Sequence, residues 1–248
     1  MADDISLHYF NAYHGYSSVR ESLQIEVKSD LSPVTQADCE IESKIRKILA
    51  KDYPHIQVIG EEFGTPDTLG DTQLIIDPID GTKNFIAGIP FFGSLMAIQE
   101  KGKIVASMVS MPRYRERWWA IAGQGSFYNG HKIRVSSVQT LGESMAFHSS
   151  FSGEKAKQSP QGLLPLLNAT KRQRGYGDFY AHMMVAMGCG EFAYDCNLKI
   201  WDIAPLKLIV EEAGGIVTDQ WGQNRYDTGT ILSSNGQFHT ELVQRLAT

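Results

Sequence analysis

The chain has 248 residues, 42% of them hydrophobic and 21% charged, a length and balance that suit one large domain or two closely packed lobes rather than several small modules. Its formal net charge of -5 at pH 7 gives no general attraction to nucleic acid, and no run of Lys or Arg supplies a local one, so an anionic substrate needs a local cation. No segment approaches the ~20 apolar residues of a membrane span, and the acidic start Met1-Ala2-Asp3-Asp4 is unlike a signal peptide. A cytoplasmic location with no membrane partner is therefore expected.

Residues 1–30 carry only a weak, helical pattern. Thr35 and Asp38 then form a helix start signal, followed by Ile41, Ile45, Ile48 and Leu49 at helical spacing, with an end expected near Asp52-Tyr53-Pro54. Ile56-Gln57-Val58-Ile59 reads as a strand ending at Gly60-Glu61-Glu62, and Leu74-Ile75-Ile76 as the next. From residue 91 to 135, apolar runs alternate with turn signals at Lys101-Gly102 and Asn129-Gly130, the pattern of an antiparallel meander. The first lobe is expected to span residues 1–140 and the second residues 141–248. In the second, residues 146–149 read as a strand, 161–167 as a short helix, and Asp178 as the start of a helix through Met183, Met184 and Met187. A loop is expected to lead to Trp201-Asp202. Ile203, Leu206, Val210 and Ala213 then recur at helical spacing before Gly214-Gly215, followed by strand Ile216-Val217-Thr218, strand 230–233 and a helix carrying Phe238, Leu242 and Leu246.

The chemistry concentrates where an apolar strand runs into Asp77-Pro78-Ile79-Asp80-Gly81-Thr82. Two carboxylates about 4 Å apart repel by roughly 4 kcal/mol at an effective dielectric near 20, which a divalent cation relieves. Pro78 interrupts regular pairing, Gly81 permits the turn, and the amides of Gly81 and Thr82 are left to meet an anion. Glu61 at a strand end and Asp202 at a helix start complete a set of hard oxygen donors suited to magnesium. Thr82 and Glu61 suit activation of the water that attacks phosphorus. Singly, each has a plainer reading: Asp202 as an N-cap, Glu61 as a solvated loop acid, and residues 77–85 as a structural strand-turn-helix. Cys39, Cys189 and Cys196 are odd in number and lack a CxxC spacing, which argues against a disulfide framework or a thiolate zinc site. The seven histidines show no metal-ligand spacing and default to surface or packing roles.

Gly60-Glu61-Glu62, residues 77–85, Trp201-Asp202-Ile203-Ala204-Pro205 and Glu212-Ala213-Gly214-Gly215 together resemble the inositol monophosphatase-like family of magnesium-dependent phosphomonoesterases, over roughly residues 30–235. The resemblance implies an α/β fold, a layered α/β/α/β/α sandwich, in which Glu61, Asp77, the backbone carbonyl of Ile79, Asp80 and Asp202 hold two or three magnesium ions. It implies that Gly81 and Thr82 bind the phosphate through backbone amides and that Thr82 with Glu61 activates water. Lys28 and Asp38 resemble the pair bordering a weaker third metal, with one residue fewer between them than in animal inositol enzymes. A homodimer acting on a small phosphorylated substrate is implied as well.

Within that family the chain resembles the bacterial histidinol-phosphate phosphatase branch, through Gly60-Glu61-Glu62-Phe63-Gly64, residues 81–85, Arg117-Trp118-Trp119-Ala120, residues 174–179 and residues 198–202. Arg174 and Asp178 lie where family members contact the leaving alcohol. Asp178 beside Tyr176 suits a cationic amine better than a neutral polyol, against a plain reading of Asp178 as a helix cap. Asp195, seven residues before Asp202, stands where family enzymes place a Glu that binds the alcohol portion. Residues 149–154 lack a Trp common in the histidinol-phosphate branch, and Phe91-Phe92-Gly93-Ser94 replaces a Trp-containing stretch. These departures bear on substrate rather than reaction: histidinol phosphate is expected, with inositol phosphate as the alternative and a non-catalytic regulatory protein as the rival from another class.

Overall fold

The computed structural model describes residues 1–14, 25–27 and 33–247; Lys28 lies outside them. Helix α1 (Ala2–His14) precedes a short antiparallel pair, β1 (Ile25–Val27) with β2 (Pro33–Thr35). The Thr35/Asp38 signal starts α2 (Gln36–Asp52) as expected. Thr35 Oγ1 accepts the Ala37 amide at 3.2 Å and Asp38 Oδ2 accepts the Thr35 amide at 2.9 Å, closing a capping box.

The first sheet contains β3 (Gln57–Gly60), β4 (Thr72–Asp80), β5 (Gly93–Glu100), β6 (Lys103–Met111), β7 (Glu116–Ile121), β8 (Gly125–Tyr128) and β9 (His131–Ile133), in sequence order. Only β3 and β4 run parallel within it; the rest is the expected meander. A six-residue helix, α3 (Thr82–Ala87), sits between β4 and β5.

The second sheet has the order β11-β10-β12-β14-β13. Its chain order is β10 (Met145–His148), α4 (Gly153–Gln158), α5 (Leu163–Asn168), β11 (Arg172–Arg174), α6 (Asp178–Ala186), β12 (Phe192–Cys196), α7 (Ile200–Glu212), β13 (Ile216–Thr218), β14 (Thr230–Ser234) and α8 (His239–Leu246).

Strand alternation decides the layers. Leu74 and Ile76 of β4 face Ile41 and Ile45 of α2 and Ile5 and Phe10 of α1, while Ile75 packs with Ala204 of α7 on the opposite face. Helices α6 and α7 pack with Leu95, Val109 and Trp118 of the first sheet and with Val217 and Ile231 of the second. On the outer face of the second sheet, Phe192, Tyr194 and Leu232 meet Leu163 of α5 and Leu242 of α8. The result is the expected α/β/α/β/α sandwich, and among the described residues no helix is long and apolar enough to cross a membrane.

Three local expectations need correction. The segment before Trp201 contains β12, a strand inside the second sheet, rather than only a loop. All five of its residues are buried and one is Asp195, so neither period-2 alternation nor a β-branched run marks it. Residues 25–27 are strand where a helix is expected in the first thirty. Strand β4 runs well past Ile76 to Asp80, with its register against β5 broken between Asp77 and Asp80, the irregularity that Pro78 leads one to expect.

Candidate active site

Because β3 and β4 are parallel neighbours, their carboxyl ends emerge at the same edge of the first sheet. Gly60 pairs opposite Ile76, and the Glu61 amide donates to the Ile76 carbonyl at 3.3 Å, so Glu61 leaves the sheet beside Asp77. The turn that carries Glu61 is held by a residue with no part in the sequence-level site. Glu42, buried on α2, accepts the amides of Glu62 (2.8 Å) and Phe63 (3.3 Å) and pairs with Arg46 (2.7 Å). A Cβ at residue 60 would lie 2.1 Å from Glu42 Oε1, which explains the glycine there. An acid on the apolar face of α2, next to Ile41, is the sequence signal that marks Glu42.

At the end of β4 the chain turns sharply. The Pro78 carbonyl accepts the Ser94 hydroxyl at 2.7 Å and the Ile79 carbonyl accepts the Thr82 hydroxyl at 2.9 Å. Gly81 adopts φ +83°, and a Cβ there would approach the Phe91 carbonyl to 2.9 Å, so conformation and space both call for glycine. Thr82 opens α3, whose first-turn amides have no intrahelical acceptor.

Helix α7 supplies Asp202 at its third position, where Oδ2 accepts the Lys199 amide at 2.7 Å. Asp202 thus closes back on the helix start from inside the first turn instead of serving as the N-cap residue itself. Each of Asp77, Asp80 and Asp202 offers an oxygen within 4.8 Å of the others. Asp77 is 2% exposed and its Oδ1 has no hydrogen-bond partner among the described residues; Asp80 Oδ2 accepts the Phe179 amide of α6 at 2.7 Å.

Burial, followed by the charges of Glu61, Asp80, Asp202 and Asp38, holds Asp77 well above the usual carboxylate range. Burial, then Asp178 and Asp202, does the same to Asp80, and burial chiefly pushes Asp202 up to about 7. A set of carboxylates that resists ionisation when alone, with one buried oxygen lacking a partner among the described residues, fits a hard divalent cation that supplies the missing charge. Asp38 is close enough to Asp77 to act on it electrostatically, while its Oδ2 is engaged by Thr35 in the capping box.

A second group of charges lies alongside. Asp195, 2% exposed on β12, accepts the Lys155 ammonium through both oxygens at 2.8 Å, and Lys155 also donates to Ser149 Oγ at 2.8 Å and lies 3.9 Å from Asp178. Asp178 does not cap α6: Gly177 is the cap residue, and Asp178, at φ +48°, takes the Asn84 amide at 3.2 Å. No sequence pattern pointed to Lys155, whose partners lie as many as 40 residues away along the chain. Arg174 lies exposed on edge strand β11, with its Nη1 donating to the Gln173 carbonyl at 2.8 Å; among the described residues no hydrogen bond or ion pair links it to the acids. His182 is buried with Nδ1 2.8 Å from Ser233 Oγ, a packing role.

Residues 11–248 match the model of the inositol monophosphatase family. The chain belongs to the inositol monophosphatase family. A histidinol-phosphatase of Mycobacterium tuberculosis is 39% identical over 229 residues, covering 90% of this chain and 88% of the relative. An inositol monophosphatase of Dictyostelium discoideum is 32% identical over 236 residues, covering 91% and 86%. Among solved structures, the IMPase of Thermotoga maritima superposes with a TM-score of 0.85 at 30% identity, over 98% of this chain and 92% of that one. The chain is thus a phosphoric monoester hydrolase of a metal-dependent family, and Asp77, Asp80 and Asp202 form its candidate ion site.

Proposed function

We propose that the chain is a magnesium-dependent phosphatase of L-histidinol phosphate. The observation that carries the choice of substrate is the carboxylate pair Asp195 and Asp178, which holds an ammonium group, that of Lys155, next to the acids of the first sheet. A cationic leaving alcohol suits such a pair; a neutral polyol gives the buried Asp195 no charge in return. The name of the 39%-identical relative points the same way.

Two or three ions would be held by Glu61, Asp77, the Ile79 carbonyl, Asp80 and Asp202, with Asp38 at the margin. Bound magnesium supplies charge neutralisation, polarises the phosphoryl oxygens and lowers the pKa of the attacking water. The backbone amides of Gly81 and Thr82 would hold the phosphate. The Thr82 hydroxyl, which donates to the Ile79 carbonyl, would accept a hydrogen bond from that water and Glu61 would take up its proton as the phosphorus–alcohol bond breaks in line, the leaving oxygen being protonated from solvent, with no phosphoenzyme. Asp178 and Asp195 would receive the alcohol portion.

Inositol 1-phosphate is the second reading, favoured by the Dictyostelium relative and by the presence of Lys155, which already neutralises Asp195. The deciding experiment compares kcat/KM with magnesium for histidinol phosphate, inositol 1-phosphate, fructose 1,6-bisphosphate and a 3′-phosphonucleotide. A clear preference for inositol phosphate would sink the histidinol assignment, and magnesium binding without phosphate release from any of them would favour the non-catalytic rival. The free thiols of Cys39, Cys189 and Cys196 suit a reducing, cytoplasmic compartment. The homodimer implied by the family resemblance is tested by light scattering.

A further inference from the structure

Lys155 stands on α4, a six-residue helix with no buried residue. Its carbonyl is fastened by the Ser159 hydroxyl at 2.7 Å, so the backbone is tethered while the four-carbon arm reaches Asp195. Three ammonium protons meet three acceptors, both Asp195 oxygens and Ser149 Oγ, with Asp178 beyond them at 3.9 Å. This nest adjoins the acids directly, since Asp178 precedes Phe179, whose amide binds Asp80. Burial works against the charge on Lys155, but Asp195 and Asp178 more than offset it and hold the ammonium above its ordinary pKa.

We propose that Lys155 is a specificity-determining residue: its ammonium occupies the position that a primary ammonium on the leaving alcohol takes, and is displaced when that substrate enters. The proposal rests on the reading of a cationic alcohol portion given above. Displacement is selective because Asp195 is 2% exposed, and a carboxylate so buried is costly without a cation. An incoming ammonium replaces the lost bonds proton for proton. A hydroxyl that pushes the lysine aside leaves the charge uncompensated, so neutral polyols meet a site that stays closed.

The test compares wild type with K155Q on histidinol phosphate, inositol 1-phosphate and p-nitrophenyl phosphate. If Lys155 occupies the site for about nine-tenths of the time, its removal lowers KM for histidinol phosphate by about tenfold while kcat stays within about twofold. KM for inositol 1-phosphate should fall by a smaller factor, because no lysine has to be displaced while Asp195 still gains no cation, and KM for p-nitrophenyl phosphate should not move. An unchanged or higher KM for histidinol phosphate, or an equal factor for all three esters, would overturn the proposal. A measurement on the wild type guards against a K155Q protein that does not fold: modification of Lys155 by an amine-reactive ester, read by mass spectrometry, should accelerate when histidinol and phosphate are added with magnesium, and not with inositol and phosphate. Unchanged or slower modification with histidinol counts against displacement. A wild type that fails to prefer histidinol phosphate refutes the substrate assignment; one that prefers it, with KM and labelling unresponsive, refutes the role of Lys155 alone.

Discussion

The Asp80 carboxylate accepts the Phe179 amide at 2.7 Å across 99 residues of chain. The bond joins the strand end of the first sheet to the start of α6, a helix that packs against the second sheet through Ala181 and Val185. An acid of the first sheet is therefore oriented by a helix that packs on the second sheet.

Asp80→Asn should preserve this bond, because the amide oxygen accepts the same N–H, while removing a charge from the cluster. Turnover should fall by about a hundredfold to a thousandfold, the size of effect seen when a key charge-stabilising group is removed, and the metal-free melting temperature should hold or rise. Near-normal phosphate release from this variant would refute the assignment of Asp80 to the metal.

Stability without metal should depend on pH in a defined direction. Asp77 and Asp80 titrate well above the usual range and Asp202 at about 7. The unfolded chain loses these protons near about 3.9, so the folded state binds more protons in between, and stability falls as pH rises through that window. His182 and His239, held at about 4 by burial against an ordinary 6.5, act oppositely, costing stability as pH drops below 6.5. Melting with chelator and with magnesium at each pH separates the two: the gap should widen between about pH 5 and about pH 8. A gap that narrows contradicts the acid cluster as the cation site.

Glu42→Ala should destabilise the protein by about 3 kcal/mol, since it strips Arg46 of its buried partner and leaves two amides of the 60–64 turn without theirs. Glu42→Gln, which keeps an acceptor, should cost less. Activity should fall further than stability explains, because Glu61 rides on that turn; denaturant melts paired with kcat below the transition separate the effects, and full activity in folded Glu42→Ala would show that the turn holds itself.

Gly81→Ala meets both a left-handed φ of +83° and the Phe91 carbonyl at 2.9 Å. The conformational part alone costs about 1–2 kcal/mol, and relieving the contact shifts the Gly81 and Thr82 amides. The expected signature is a raised KM for every phosphate ester, with inhibition by inorganic phosphate weakened by a similar factor. An unchanged phosphate inhibition constant would remove these amides from the phosphate site.

Much of the architecture was legible because it is written in local chemistry: the Thr35/Asp38 capping box, the tight turns at Lys101-Gly102 and Asn129-Gly130, and the break in β4 at Pro78. The same held for Asp77, Asp80 and Asp202, which the fold gathers within 4.8 Å. What escaped were contacts made only through tertiary packing. Strand β12 is buried throughout and so shows no alternation, Glu42 acts through amides 20 and 21 residues away, and Lys155 reaches Asp195 from a helix without a buried face. The plain alternative for Asp178, a helix cap, fails because Gly177 takes that position; Asp178 has a left-handed backbone and accepts the Asn84 side-chain amide.

The parallel pairing of β3 with β4 has a further consequence. Adjacent strands are separated by about 4.8 Å through their backbone ladder, and Gly60 sits opposite Ile76 in that ladder. The peptide backbone thus serves as a ruler between the Glu61 turn and Asp77, independent of which side chains fill the layers above and below. Changes of volume at Ile41 or Ile75 should lower the melting point while leaving magnesium affinity nearly constant, so that the stability of this protein and the calibre of its ion site are free to drift separately.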